Sequence, residues 1–181
     1  QQFREMIRNG PNVKPAWAVA AGWERVERGV FAVAINNAEQ RFAKLWLQAP
    51  PDEVPADVNA AVAKTTALVF GIDYDGEIRA DLFALSPNRD DAVAVANSVL
   101  LWVSKGLTAI QESSQKAPDK VAPGMPLAEK FLERVSVGLE SAAGPSKPAI
   151  VHAKGHAKIS LSELFGLLSG AKVEAVEVKQ K

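Results

Sequence analysis

Few residues in this chain have types and spacings that could do chemistry. Asp73-Tyr74-Asp75-Gly76 puts two carboxylates beside a glycine. A calcium loop of the EF type needs a carboxylate at its twelfth position and glycine at its sixth. Counted from Asp73, those positions hold Ala84 and Ile78. Asp75-Gly76 is instead the two-residue signature of a tight hairpin turn. His152 and His156, the only two histidines, have the spacing of a zinc pair on a helix. A zinc site needs a third ligand, and Lys158 falls on the same strand face, so both histidines read as solvated. Arg79 and Asp81, two apart on one strand face, read as a surface ion pair. No G-x-S-x-G, phosphate loop or dinucleotide fingerprint is present, so no catalytic residue, cofactor or metal site is nominated.

The totals narrow the field further. The chain has 181 residues, 21 basic and 21 acidic side chains and no cysteine. Zero net charge leaves no electrostatic footprint for nucleic acid. Without cysteine there are no disulfides and no thiolate chemistry. No run of about 18 apolar residues is present, so no membrane span is expected. The opening "QQFREMIRNG" reads as the inside of a helical region rather than a native start, which predicts either a trimmed chain or a segment of a longer protein.

Three segments alternate like strands. In "AWAVAAGWERVERGVFAVAI", Trp17, Val19 and Trp23, then Phe31, Val33 and Ile35, predict a hairpin with one bulky and one small face. In "ALVFGIDYDGEIRADLFAL", a turn at Asp75-Gly76 pairs Tyr74 with Glu77 and Phe70 with Asp81. One face then carries Leu68, Phe70, Ile72, Tyr74, Arg79, Asp81 and Phe83; the other carries Ala67, Val69, Gly71, Ala80, Leu82 and Ala84. In "PAIVHAKGHAKISL", a three-residue loop at Lys154-Gly155-His156 leaves one face wholly apolar. Small side chains let helices approach, so the small faces are assigned to helix packing.

The helices have clearer signals. Ser86 as N-cap, Pro87 and Asp90-Asp91 start a helix running to about Ser114, with Ala92, Ala96, Val99, Val103, Leu107 and Ile110 as its stripe. Gly106 inside it implies a close contact. Leu101 and Trp102 lie off the stripe and imply a second covered face. Another helix starts near Pro126, with Leu127, Phe131, Val135, Leu139 and Ala142 in line. Capping boxes at Asn36/Glu39 and Ser160/Glu163 start two shorter helices. "KVEAVEVKQK" could add a strand.

The order helix, Pro-Ala, hairpin, capped helix occurs twice, predicting an internal duplication. On that reading 1–181 is a single domain of two related units, 1–50 and 64–170, with 49–57 as the linker. "GIDYDGEIRADLFALSPNRDDAVAVANSVL" and "KISLSELFGLL" resemble alanine-rich repeated modules of large secreted or envelope-associated bacterial proteins. The resemblance implies a location outside the cytoplasm and no activity.

The expected fold is therefore α+β, an antiparallel sheet of hairpins with helices on one face. The broad side chains turned away from the helices define a candidate interface of Trp17, Trp23, Phe31, Phe70, Tyr74, Arg79, Asp81 and Phe83. The function expected is a binding or structural module that engages protein, or a second copy, through that face. The alternative is a small-molecule carrier or enzyme with a pocket between sheet and helices.

Overall fold

A computed structural model describes residues 14–40, 56–116, 124–141, 147–160 and 163. Five strands form one antiparallel sheet: β1 (Phe31–Asn36), β2 (Ala67–Tyr74), β3 (Glu77–Ser86), β4 (Ser136–Ser141) and β5 (Ala149–Lys158), in the order β1-β2-β3-β5-β4. Helices α2 (Ala56–Ala63), α3 (Arg89–Lys116) and α4 (Met125–Leu132) pack on one face. The fold is α+β, as the sequence predicts. A short fourth helix, α1 (Ala16–Ala20), lies on the opposite face.

That short helix overturns the first expected hairpin. The alternation in "AWAVAAGW" is bulky against small rather than apolar against polar, and alanine is the best helix former. One turn suffices to bury Ala18 and Ala21 together, at 2% and 0% exposure. Gly22, at φ +98, ends it in the left-handed region where glycine carries no penalty. A 3-10 turn at Trp23–Arg25 follows, and only Phe31–Asn36 of the expected hairpin is strand.

The β2–β3 hairpin forms, one residue out of the expected register. Tyr74 pairs with Ile78, Phe70 with Leu82 and Leu68 with Ala84. Only Gly76 at the tip has positive φ, at +89, whereas the two-residue turn needs two such residues. The connection therefore takes in Glu77 as well. The slip redistributes the faces, because side chains alternate with period two. Phe70, Ile72 and Tyr74 now share the helix face with Ala80, Leu82 and Ala84. Gly71 and Val69 share the other with Arg79, Asp81 and Phe83. The small-against-bulky division is not observed.

Residues 149–158 form a single ten-residue strand with no loop at Gly155. The two faces come out as read all the same, because a three-residue hairpin and a straight strand keep the same alternation. Ala149, Val151, Ala153 and Ala157 are buried under the helices. The helix expected over 126–142 stops at Leu132, and Val137 and Leu139 belong to β4, opposite Ala153 and Val151. Pro15-Ala16 opens a helix and Pro148-Ala149 opens a strand, so no repeated unit is seen among the described residues. The proposed linker 49–57 lies mostly outside the described residues; the first helix and the C-terminal strand lie wholly outside them.

α3 is anchored by Ala92, Val95 and Ala96, which pack with Ala84, Ala149 and Val151 of the sheet, and Val99 is buried as well. Its cap is Asn88 rather than Ser86: the Asn88 side-chain oxygen accepts the Asp91 N–H at 2.9 Å. Ser86 is the last residue of β3 and is buried. Of the two off-stripe residues, Trp102 packs against the core and Leu101 is 46% exposed. Gly106 faces the Leu132 side chain, where a Cβ would come within 3.0 Å. By length and composition α3 is also apolar enough to cross a membrane, which the sequence reading did not expect; its buried residues are Ala92, Val95, Ala96 and Val99. The Ser160/Glu163 capping box forms as read, with the Ser160 N–H donating to Glu163 at 2.8 Å and Ser160 Oγ accepting from the Glu163 N–H at 3.2 Å. At Asn36/Glu39 a 3-10 turn forms with Glu39 at φ 58.

Candidate functional site

On the sheet face away from the long helices, the segment from Lys14 to Gly29 covers β1, β2 and β3. Val26 fills the space above Gly71, where a Cβ would lie 2.4 Å from Val26 Cβ. Around it pack Ala21, Ala67, Val69 and Phe83, with Trp17 and Trp23 closing the sides. At the rim of this apolar patch is a polar cluster. The Arg25 guanidinium lies 4.8 Å from the Phe83 ring centre, a cation–π distance. It also donates two hydrogen bonds to Glu140 of β4, at 2.8 and 2.9 Å. His152 stacks on Phe83 with centroids 4.2 Å apart. Its Nε2 is 2.6 Å from Asp81 Oδ1, and its Nδ1 is 3.7 Å from Glu140 Oε1.

An imidazole between two carboxylates is a familiar orienting device for a general base. Here one ring face is taken by Phe83, and among the described residues its polar partners are the two carboxylates of Asp81 and Glu140, with no hydroxyl or thiol. The arrangement works as a clasp: β3, β4, β5 and the N-terminal segment meet through Arg25, Phe83, Asp81, Glu140 and His152. The two Arg25 hydrogen bonds hold the Glu140 carboxyl below its ordinary range, against the opposing effect of burial. The reading of both histidines as solvated is corrected for His152, whose side chain is 19% exposed; His156 is 48% exposed.

The expected Arg79–Asp81 ion pair is not made. Arg79 pairs with Asp75 across the hairpin tip and lies 3.8 Å from Glu77, while Asp81 turns to His152. The Asp73–Gly76 stretch is thus a bend braced by Arg79.

The eight residues of the expected interface do not form one surface. Trp17, Trp23, Arg79, Asp81 and Phe83 are on the face covered by the N-terminal segment, and Phe83 is 1% exposed. Phe31, Phe70 and Tyr74 are on the helix face. Phe31 meets Phe70 edge-on at 6.3 Å, and the Tyr74 hydroxyl donates to the Ile159 carbonyl at 3.2 Å. Two of the clasp residues were missed altogether: Arg25 contacts Glu140 across 115 positions, and nothing local marks either.

Among the described residues, β1 and β4 are the edges of the sheet. Along β1, Phe31 to Asn36 carries no charge and no proline. Among the described residues, the two most exposed large apolar side chains are here: Val30 at 75% and Phe31 at 52%. A second exposed set, Val93, Leu100 and Leu101, runs along the outer side of α3. Between the sheet and helices α3 and α4 the described residues leave an apolar cavity of about 300 Å³.

These features define an α+β protein whose sheet, among the described residues, ends on an uncharged β1 strand. No family model matches the sequence, and no curated protein sequence matches it. Among solved structures, the crystal structure of the SiaB-SiaC complex from Pseudomonas aeruginosa contains a similar chain, at 14% identity and a TM-score of 0.35, over 81% of this chain and 100% of that one. A likeness this weak carries no argument about function.

Proposed function

We propose that the protein is a protein-binding module and that a partner strand adds to the outer edge of β1. What supports this is the edge itself. An uncharged edge strand with exposed apolar side chains presents unpaired N–H and C=O groups to any extended chain. Natural sheets usually guard such edges with lysine, proline or a bulge; β1 has none of these. Phe31 and Phe70 form an aromatic corner beside it, which offers a partner side chain a place to pack. This takes the place of docking through Trp17, Trp23 and Phe83, which belong to the part of the sheet face that the N-terminal segment covers. A location outside the cytoplasm belongs to the same proposal and rests on the family resemblance alone; a signal peptide in the full-length protein tests it.

Selection from a random displayed-peptide library tests the edge. Wild-type protein should enrich extended apolar peptides whose binding is lost in Phe31→Lys and in Val30→Lys and is kept in Leu100→Ser. Peptides that bind Phe31→Lys as well as wild type, or an absence of enrichment, contradict the reading.

A further inference from the structure

The side chains of β1 keep the same order of size in both directions. From Phe31 to Ile35 they run large, small, large, small, large, as Phe-Ala-Val-Ala-Ile. Pairing with β2 sets Phe31, Val33 and Ile35 opposite Ile72, Phe70 and Leu68, on the helix face. Ala32 and Ala34 are on the other face, packed against the cluster of Ala21, Val26 and Phe83. The backbone has a direction as well. The Asn37 N–H donates to the Thr66 carbonyl at 2.9 Å. Antiparallel ladders alternate, so Phe31, Val33 and Ile35 turn their backbone groups to β2, and Ala32 and Ala34 turn theirs to the outer edge.

A two-fold axis perpendicular to the sheet beside Val33 lays β1 of a second copy antiparallel to this one. Phe31 then faces Ile35 of the second copy, Val33 faces Val33, and Ala32 exchanges backbone hydrogen bonds with Ala34. Every pair sets large against large or small against small, and both helix layers stay on the same side of the sheet. Charge favours the same occupant. A two-fold sets a residue at its axis against its own copy, so a charge there meets its own kind; Phe31–Asn36 carries none. A different protein is normally picked out by complementary charge, and this edge has no charge to match.

We propose that the strand added to β1 is β1 of a second copy, giving a two-fold dimer whose continuous sheet takes five strands from each chain. This rests on β1 being the binding edge and names the partner of that edge. A six-residue strand is a small interface, so the dimer is weak and comes apart on dilution.

Sedimentation equilibrium of the intact chain should give the monomer mass of 19.3 kDa when dilute and rise toward twice that mass as concentration increases. Phe31→Lys, at a side chain already half exposed, should stay monomeric throughout. Val33→Lys sets two ammonium groups face to face at the axis and should do the same. Leu100→Ser, on α3, should dimerise as wild type does. Cysteine reads the register, since the chain has none. The two copies of position 33 have Cα atoms about 4.5 Å apart, within reach of a disulfide. The two copies of position 31 are about 14 Å apart along the strands. Val33→Cys should therefore oxidise to a covalent dimer at least about tenfold faster than Phe31→Cys. Equal rates for these two variants, or a dimer that persists in both lysine variants, overturns the proposal. A chain that is monomeric at every concentration also overturns it. If selected peptides still bind β1 in that case, the edge stands and the second copy is the wrong partner; if none are enriched, both fall.

Discussion

Arg25 and Glu140 are 115 residues apart in sequence, and the guanidinium of one donates two hydrogen bonds to the carboxylate of the other. The pair ties the N-terminal segment to the far edge of the sheet, across the Phe83–His152 stack. Val26, next in sequence to Arg25, is the residue seated over Gly71.

Breaking this clasp should cost little in total stability and more in local order. Both side chains are nearly half exposed, so Glu140→Gln should cost about 0.5–1 kcal/mol at pH 7. The sign with pH follows from the lowered Glu140 carboxyl. A carboxylate held below its unfolded value adds stability that is complete above that value and is lost as pH falls through the folded one. Denaturant melts followed through Trp17 and Trp23 emission should therefore show the wild type losing its advantage over Glu140→Gln below about pH 4.5. A gap that stays constant down to pH 3 would contradict this.

The two close-packed glycines should respond differently to alanine. At Gly71 the new methyl meets Val26 Cβ, which is fixed to its own backbone. At Gly155 it meets the tip of the Phe131 ring beside the cavity, and the ring has space to move. Gly71→Ala should cost about 2–3 kcal/mol, toward the upper part of the range for overpacking. Gly155→Ala should cost under about 1 kcal/mol. Chemical denaturation measures both, and a reversed order would show that the segment over Gly71 is loosely held.

How far the sequence revealed this arrangement depended on whether the signal was local. The α3 stripe and the Ser160/Glu163 box were legible because both lie within helical spacing. The faces of β5 were legible because alternation fixes them whatever its ends do. The β2–β3 register was not, since one extra loop residue at Glu77 moves Phe70 and Tyr74 across to the helix side relative to Asp81 and Phe83. α1 was hidden because Ala and Trp alternate in size without a polar contrast. The clasp was out of reach: its contacts are long-range, and Glu140 lies where a helix was expected.

Asn37 gives a test of the buried polar link between β1 and α2. It is 1% exposed, and its Nδ2 donates to the carbonyls of Val62 and Thr65 at 2.8 and 2.9 Å. Asn37→Ala should cost about 1–3 kcal/mol through the acceptors left behind. Asn37→Asp keeps the shape but sets a carboxylate against two carbonyl oxygens. It should be worse than alanine at pH 7 and should recover as pH falls and the carboxyl takes up a proton. Thermal melts at pH 7 and pH 5 distinguish the two, and an aspartate variant as stable as wild type at pH 7 would contradict the contact.

The β1 edge is tested most directly by amide hydrogen exchange on the protein with and without a peptide selected for binding. Strand addition predicts that exchange slows in Phe31–Asn36 while α3 and β4 are unchanged. Slowing confined to Val93–Leu101 of α3, or to β4, would contradict it.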